Sequence, residues 1–125
     1  MKKIITSPNG PKPIGPYSHA VLAGNTLYTS GQVGIDPNTN ELVTGDIKDE
    51  TKQAMFNLKS ILETAGTKMS NIVKATIFLK DMNNFTAMNE VYGSYFDGDF
   101  PARETVSVVG LPLNVNVEIS MIAVK

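Results

Sequence analysis

Cysteine is absent from this chain of 125 residues, and histidine occurs only once, as His19. Without cysteine there are no disulfide bonds, no thiolate nucleophiles and no thiolate-bound zinc, and such a chain fits a reducing cytoplasm. A lone histidine lacks the second histidine or cysteine of a metal site, and no acid close in sequence orients it for catalysis. We therefore expect no bound metal and a structural role for His19.

Strong charge of one sign and long apolar runs are also missing. The net charge is −1, which offers no electrostatic attraction to nucleic acid or anionic lipid. No apolar run reaches the ~18 residues of a membrane span, and the basic start runs into prolines after two isoleucines, unlike a signal peptide. A hydrophobic fraction of 42% and a charged fraction of 18% predict one soluble globular domain over residues 1–125.

Turn residues and periodicity predict the order β-β-α-β-α-β-β. Gly24 and Asn25 separate two alternating segments and indicate a hairpin. Gly31, in the second of these segments, indicates a bulge or the close approach of another group. The predicted strands span residues 17–23, 26–32, 72–79, 103–109 and 115–124, and the helices run from Asp46 or Asp49 to Gly66 and from near Asp81 to Tyr95.

These elements predict an α+β protein in which two helices pack on one face of a mixed β-sheet. Strict alternation over residues 72–79 assigns Val73 to the helix side and Ile72 to the other side. In the strand over 103–109 the valines and Glu104 are expected beneath the helices. The helix-free face then carries a polar set consisting of Arg103, Thr105, Ser107 and Glu118. Since apolar residues lie there too, that face predicts a partner, and an identical subunit is the simplest one.

Two residues of the polar set carry the candidate chemistry. Arg103 follows the rigid Phe100-Pro101 turn, and its planar fork of donors matches a carboxylate. Glu118 lies between apolar neighbours in a half-buried strand, where a carboxylate either pairs with a cation or has a raised pKa. Two interpretations stay open. Arg103 forms a surface or inter-subunit ion pair, with Glu118 bridged to it or to a lysine, or Arg103 binds an anionic substrate while Glu118 positions or deprotonates a water.

Motifs of cofactor-dependent and covalent catalysis do not occur in the sequence. No glycine-rich phosphate loop follows a predicted strand, and there is no Gly-x-Ser-x-Gly nucleophile elbow. We therefore expect a reaction that needs no cofactor and no covalent intermediate.

Six segments in order carry a resemblance that runs nearly end to end. They are Ile14-Gly15-Pro16-Tyr17-Ser18, Tyr28-Thr29-Ser30-Gly31-Gln32-Val33, Ile72-Val73-Lys74-Ala75-Thr76-Ile77-Phe78-Leu79-Lys80-Asp81-Met82, Met88-Asn89-Glu90-Val91-Tyr92, Phe100-Pro101-Ala102-Arg103 and Val117-Glu118-Ile119. On these segments the sequence resembles the RidA (YjgF) family of reactive-intermediate deaminases. Six ordered blocks make this match specific, whereas a lone Pro-Ala-Arg would be weak.

The resemblance implies a chorismate-mutase-like homotrimer whose sheets form a central barrel, with active sites in the clefts between subunits. It also implies the hydrolysis of enamine and imine products of pyridoxal-phosphate enzymes, with no cofactor of its own. The substrates would be 2-aminoacrylate and related 2-imino acids such as 2-iminopropanoate and 2-iminobutanoate. The products would be 2-oxo acids and ammonia.

The same resemblance implies roles for individual residues. Arg103 resembles the arginine that clamps the substrate carboxylate, and Glu118 resembles the acid that handles the attacking water. Tyr17 would line the pocket. Ser30 and Gly31 would help to shape it, with Gly31 admitting substrate or backbone closely.

Three further positions are matched less simply. Asn89 resembles an asparagine of the family's helix and is expected to be architectural. Thr105 stands where the family often has cysteine, and its backbone would contact the substrate while its hydroxyl would hold the water. Glu104 stands where a small polar residue is common and is expected to point away from the site.

Other functions stay open beside the deaminase. One is a binding or regulatory protein of the same family that holds 2-oxo acids or other small carboxylates without turnover. Ribonuclease activity or translation inhibition is also attached to the family, but the net charge of −1 argues against an RNA partner. Chorismate mutase activity would rest on fold analogy alone.

Overall fold

A computed structural model, which describes residues 1–43 and 45–125, has two helices on one face of a six-stranded β-sheet. The predicted α+β class is therefore confirmed. The elements are β1 (Lys2–Ile5), β2 (Ala20–Ala23), β3 (Thr26–Thr29), β4 (Ile35–Asp36), β5 (Glu41–Leu42), α1 (Ile47–Thr64), β6 (Ile72–Leu79), α2 (Phe85–Gly93), β7 (Ala102–Ser107) and β8 (Val117–Val124).

The sheet is mixed, with the strand order β1-β2-β3-β8-β6-β7. Its neighbours are antiparallel except β6 and β7, which are parallel. A parallel pair needs a crossover, and α2 lies in the connection between these two strands. Strands β4 and β5 form a separate two-stranded ribbon. No helix in the described part of the chain is long and apolar enough to cross a membrane.

Local signals place the first helix as predicted. The Asp46 side chain caps it by accepting a hydrogen bond from the amide of Asp49 at 3.0 Å. Gly66 lies just beyond its end with φ at 81°, a conformation that favours glycine. Between these caps the apolar side of α1 packs against the sheet and is fully buried, through Ala54, Met55, Leu58, Ile61 and Leu62.

The first strands differ from the prediction in their bounds. The hairpin at Gly24 and Asn25 is confirmed, since Ala23 pairs with Thr26. However, β2 begins at Ala20 rather than at residue 17, and β3 ends at Thr29, so residue 32 is joined to β8 only by an isolated bridge. The edge strand β1 was not predicted, because two lysines followed by two isoleucines do not alternate.

One face assignment in β6 is wrong because of a β-bulge. The pairing of β6 with β8 shifts between Ile72 and Lys74, and an extra residue reverses the alternation beyond it. As a result Ile72 is buried among the core residues, while Val73 is 46% exposed. The predicted faces of Ile72 and Val73 were therefore both wrong.

A second correction concerns β7 and bears directly on the site. Paired residues of neighbouring strands point to the same face, and Arg103 and Thr105 pair with the buried core residues Ala75 and Ile77. Arg103, Thr105 and Ser107 therefore lie on the helix side, and Glu104 and Val106 on the helix-free side. The prediction assumed that the valines of this strand lie beneath the helices. It failed because β7 is an edge strand, and its Val106 lies on the helix-free side.

The single histidine lies in the interior, with 2% of its surface exposed. The Nδ1 atom of His19 accepts a hydrogen bond from the amide of Ser7 at 2.9 Å, and Nε2 lies 2.6 Å from the carbonyl oxygen of Pro11. Both ring nitrogens thus hold the backbone of the proline-rich loop, which agrees with the structural role expected for His19.

Candidate functional site

Glu118 lies on the helix-free face of β8, as predicted, since it pairs with Phe78 between the core residues Val117 and Ile119. Its half-buried carboxylate lines a cavity of about 490 Å³. Burial raises the pKa of the Glu118 carboxyl above its ordinary value, and no charge or hydrogen bond offsets that effect. A carboxyl in this state is suited to exchange a proton with a water or a substrate.

The loop after β3 lies directly against this carboxylate. A Cβ atom added to Gly31 would lie 2.6 Å from Cδ of Glu118. The close approach predicted for Gly31 is therefore confirmed, and the approaching group is Glu118. Gly31 itself lines the Glu118 cavity.

Ser30 and Tyr17 line the same cavity. The Ser30 hydroxyl donates a 2.6 Å hydrogen bond to the carbonyl oxygen of Ser18, and the Ser30 amide donates to the carbonyl oxygen of His19 at 2.9 Å. Because its proton is engaged, the Ser30 hydroxyl can offer only its lone pairs to a ligand. Tyr17 is 48% exposed, so its ring borders the opening of the cavity.

Arg103 lies on the other face, beneath α2. Its Nη1 atom donates a 2.6 Å hydrogen bond to Oδ1 of Asn89. Its guanidinium carbon lies 5.0 Å from the ring centroid of Tyr92 and 5.7 Å from that of Phe85, both within range of a cation–π interaction. Residues 85, 89 and 92 share one side of α2, so a single helix face holds the arginine. A cavity of about 450 Å³, lined by Asn89, Tyr92, Gly93, Phe100, Pro101 and Arg103, opens beside it.

Ion pairing within the chain does not account for either residue. Across residues 1–43 and 45–125 the salt bridges are Lys48–Glu90 at 2.6 Å and Lys74–Glu104 at 3.2 Å. Neither includes Arg103 or Glu118, so the intramolecular Glu118 bridge expected under one interpretation is not formed. Glu104 faces away from Arg103, as expected. However, Glu104 was assigned to the helix side and Arg103 to the helix-free side, and the structure shows the reverse.

Two hydroxyl groups near Arg103 are buried without a hydrogen-bond partner in the described part of the chain. They belong to Thr105, on the same face of β7, and to Tyr92, beneath the guanidinium. Burial raises the pKa of the Tyr92 hydroxyl, and the nearby Arg103 charge lowers it to a smaller extent. Both hydroxyls are enclosed here, so the water-holding role of Thr105 remains a prediction.

The predicted residues therefore form two half-sites in one chain. The first, the Glu118 half-site, contains Tyr17, Ser30, Gly31 and Glu118. The second, the Arg103 half-site, contains Arg103, Asn89 and the rings of Phe85 and Tyr92. The two lie on opposite faces of the sheet, and their two cavities have no lining residue in common, so one chain does not bring Arg103 and Glu118 together.

Sequence reasoning missed two parts of these half-sites. The aromatic residues of α2 were assigned no role in a site, whereas the rings of Phe85 and Tyr92 lie against the guanidinium of Arg103. Leu113, which lines the Glu118 cavity with Ile14, has a left-handed backbone with φ at 60° and is 59% exposed. A bulky residue in this conformation is strained, and nothing local in the sequence indicates it.

A cavity of about 550 Å³ near Lys59, Lys68 and Asp97 contains none of the predicted site residues. Residues 1–43 and 45–125 contain no group of three or more histidine, aspartate or glutamate side chains that could hold a metal ion.

Solved structures share this fold over the whole chain. A protein of the conserved Rid family from Yersinia pestis superposes with a TM-score of 0.97, at 44% identity, covering 100% of both chains. The E. coli protein TdcF, solved with bound serine, gives a TM-score of 0.94 at 39% identity and covers 98% of each chain. The fold is therefore that of the Rid proteins.

Sequence comparison assigns the family. Residues 7–125 match the family described as endoribonuclease L-PSP. A protein of Dermatophagoides farinae named 2-iminobutanoate/2-iminopropanoate deaminase is 52% identical over 123 residues, which are 98% of this chain and 96% of the relative. The chain belongs to the endoribonuclease L-PSP family, which is the RidA family that its sequence resembles.

Proposed function

We propose that this protein is a deaminase that hydrolyses 2-imino acids, such as 2-iminopropanoate and 2-iminobutanoate, to 2-oxo acids and ammonia without a cofactor. The observation that carries the proposal is the state of Glu118, a half-buried carboxyl that lines a cavity, has a raised pKa and forms no salt bridge within residues 1–43 and 45–125. The name of the Dermatophagoides farinae relative, which is 52% identical to this chain, supports the same reaction.

We further propose that the two half-sites meet across a subunit boundary in a homotrimer. In one chain Arg103 and Glu118 lie on opposite faces of the sheet, so a site that needs both requires two copies. The helix-free face supports this arrangement, because it exposes Tyr28, Val106 and Val124 to solvent in the single chain. Exposed apolar side chains on one face favour association.

The reaction can be derived from the chemistry of these groups. Arg103 holds the carboxylate of the imino acid through paired hydrogen bonds, which contribute about 2–3 kcal/mol. The oxygen of a water then adds to the imine carbon, and the electron pair of the C=N bond moves to nitrogen, which takes up a proton. Glu118 takes that proton from the water and delivers it to nitrogen, which gives a carbinolamine. Glu118 then carries the hydroxyl proton of the carbinolamine to nitrogen as the C–N bond breaks, so that ammonia leaves and a carbonyl group remains.

Ammonia release from freshly generated 2-iminobutanoate tests the activity. Wild type should exceed the spontaneous rate, whereas Arg103→Ala and Glu118→Ala should fall to it while remaining folded. Arg103→Lys should also be poor, because an ammonium loses the planar fork. Wild-type turnover in Arg103→Ala would refute the role of the arginine.

A mixed assembly tests the subunit boundary. If each site takes Arg103 from one subunit and Glu118 from another, co-expressed Arg103→Ala and Glu118→Ala chains should regain about one quarter of wild-type activity by random assortment. Each variant alone provides the control. Mixed assemblies as inactive as the single variants would refute a shared site.

A second candidate is a binding protein that holds a small carboxylate without turnover. It is favoured by the bound serine in TdcF, because serine has a carboxylate but no imine to hydrolyse. Under this alternative, wild type would bind serine or 2-oxobutanoate in an Arg103-dependent manner, and ammonia release would stay at the spontaneous rate.

A further inference from the structure

Gly31 and Glu118 lie so close together that no residue with a side chain would fit at position 31. A Cβ atom added to Gly31 would lie 2.6 Å from Cδ, 2.7 Å from Cγ and 2.7 Å from Oε2 of Glu118. Gly31 is not among the residues with a left-handed backbone. Its backbone would therefore accept a side chain, and it is the occupied space that excludes one.

The backbones on both sides of this contact are fixed to each other. The amide of Gln32 donates to the carbonyl oxygen of Ile119 at 2.8 Å, and the amide of Ile119 donates to the carbonyl oxygen of Gln32 at 3.0 Å. These bonds join the residue after Gly31 to the residue after Glu118. A new Cβ atom could not be accommodated by separating the two segments, so the Glu118 side chain would have to move.

We propose that Gly31 is a positioning residue that acts on Glu118 rather than on the substrate, because its missing side chain provides the space in which the carboxylate lies. The catalytic consequence rests on the proposed function, whereas the positioning itself does not. Alanine at position 31 would move the carboxylate from the Gly31 backbone into the cavity and toward water.

A second glycine offers a matched comparison. A Cβ atom on Gly34 would lie 2.7 Å from Cγ of Glu50, and also 2.8 Å from the backbone oxygen of that residue. Glu50 is 3% exposed and accepts hydrogen bonds from neighbouring amides. Gly34→Ala should therefore destabilise the fold without changing the titration of Glu118.

A stability cycle tests the steric link without any need for activity. Gly31→Ala should lower the urea midpoint of unfolding in wild type, and this loss should disappear in a Glu118→Ala background, because the clashing side chain is gone. An equal loss in both backgrounds would overturn the proposal. The double variant also keeps the test valid if Gly31→Ala alone does not fold.

Titration and kinetics test the consequence for the carboxyl. Burial raises the Glu118 pKa above its ordinary 4.5, so Gly31→Ala should shift its carbon-13 carboxyl titration down toward that value. The kcat for imine hydrolysis should fall at least ~10-fold, since a misplacement of about 1 Å can cost 100-fold. KM should change little, because Arg103 would still hold the substrate. Gly110→Ala is the control for glycine replacement, because Gly110 is exposed and a Cβ atom added there would meet nothing within 4 Å.

The outcomes separate the two proposals. A shifted Glu118 titration in Gly31→Ala, with no imine hydrolysis in wild type, would support the positioning role and refute the deaminase. Hydrolysis in wild type, with titration and kcat unchanged in Gly31→Ala, would support the deaminase and overturn the positioning role.

Discussion

Glu50 and Glu118 lie in two regions of the molecule that treat a carboxylate in opposite ways. Each presses against a glycine that could not carry a side chain. Glu50, on α1, is almost fully enclosed and accepts hydrogen bonds from the amide and side chain of Asn116 at 2.7 and 2.8 Å and from the amide of Val117 at 3.2 Å. Glu118, on β8, is half-buried, receives no such donors from residues 1–43 and 45–125, and borders a cavity.

The difference separates a structural acid from one that is available for chemistry. The Glu50 carboxylate ties the first turn of α1 to the start of β8, and its lone pairs are used by the protein. The Glu118 carboxylate is partly desolvated with no compensating bond, which costs stability. Such a cost is typical of functional sites rather than of structural ones.

Glu50→Gln should have the largest effect on stability. The amide group would turn an N–H group toward the donors on Asn116 or Val117, leaving buried groups unsatisfied. The expected loss is about 3 kcal/mol in the free energy of unfolding. Urea unfolding measures it, and the matched Glu118→Gln variant should lose no stability at neutral pH. An equal loss in both variants would remove the distinction between the two acids.

The local parts of the fold could be predicted from the sequence. The cap at Asp46, the stop at Gly66 and the hairpin at Gly24 depend on residues within a few positions, so a short window contains the whole signal. Glu118 was correctly assigned to the helix-free face, because the alternation of β8 is unbroken.

The side of the sheet on which Arg103 lies could not be predicted in the same way. In an edge strand such as β7, apolar residues on one face do not show where the helices are, and the aromatic cover of Arg103 comes from α2. The contact between Gly31 and Glu118 depends on the pairing of distant segments. The sequence indicated a close approach at Gly31 but not its partner.

The pH dependence of stability offers a finer comparison. The folded-state pKa of Glu118 is raised by burial, so the folded protein binds this proton more tightly than the unfolded chain does. The contribution of Glu118 is fully present below its unfolded pKa and is lost as pH rises through the folded pKa. The stability of wild type relative to Glu118→Gln should therefore fall across this window and be constant above it.

Urea midpoints of the two proteins, measured in parallel over the acidic pH range, provide the difference curve. Other titrating groups cancel, because both chains contain them. A difference that rises with pH would mean that the folded state stabilises the ionised form of Glu118. The conclusion that burial disfavours this ionised form would then be wrong.

Leu113 should give the smallest effect, because it limits the Glu118 cavity only at the exposed side. Leu113→Ala and Leu113→Gly remove the same wall, so both should lower the carboxyl pKa of Glu118 slightly toward its ordinary value as water gains access. Only glycine also relieves the left-handed backbone at φ 60°, so Leu113→Gly should be more stable than Leu113→Ala by about 1 kcal/mol, the reverse of the order in a helix. Urea unfolding measures the order of stability, and carbon-13 titration measures the shift of the Glu118 carboxyl. If Leu113→Ala were the more stable variant, the backbone strain assigned to Leu113 would be absent.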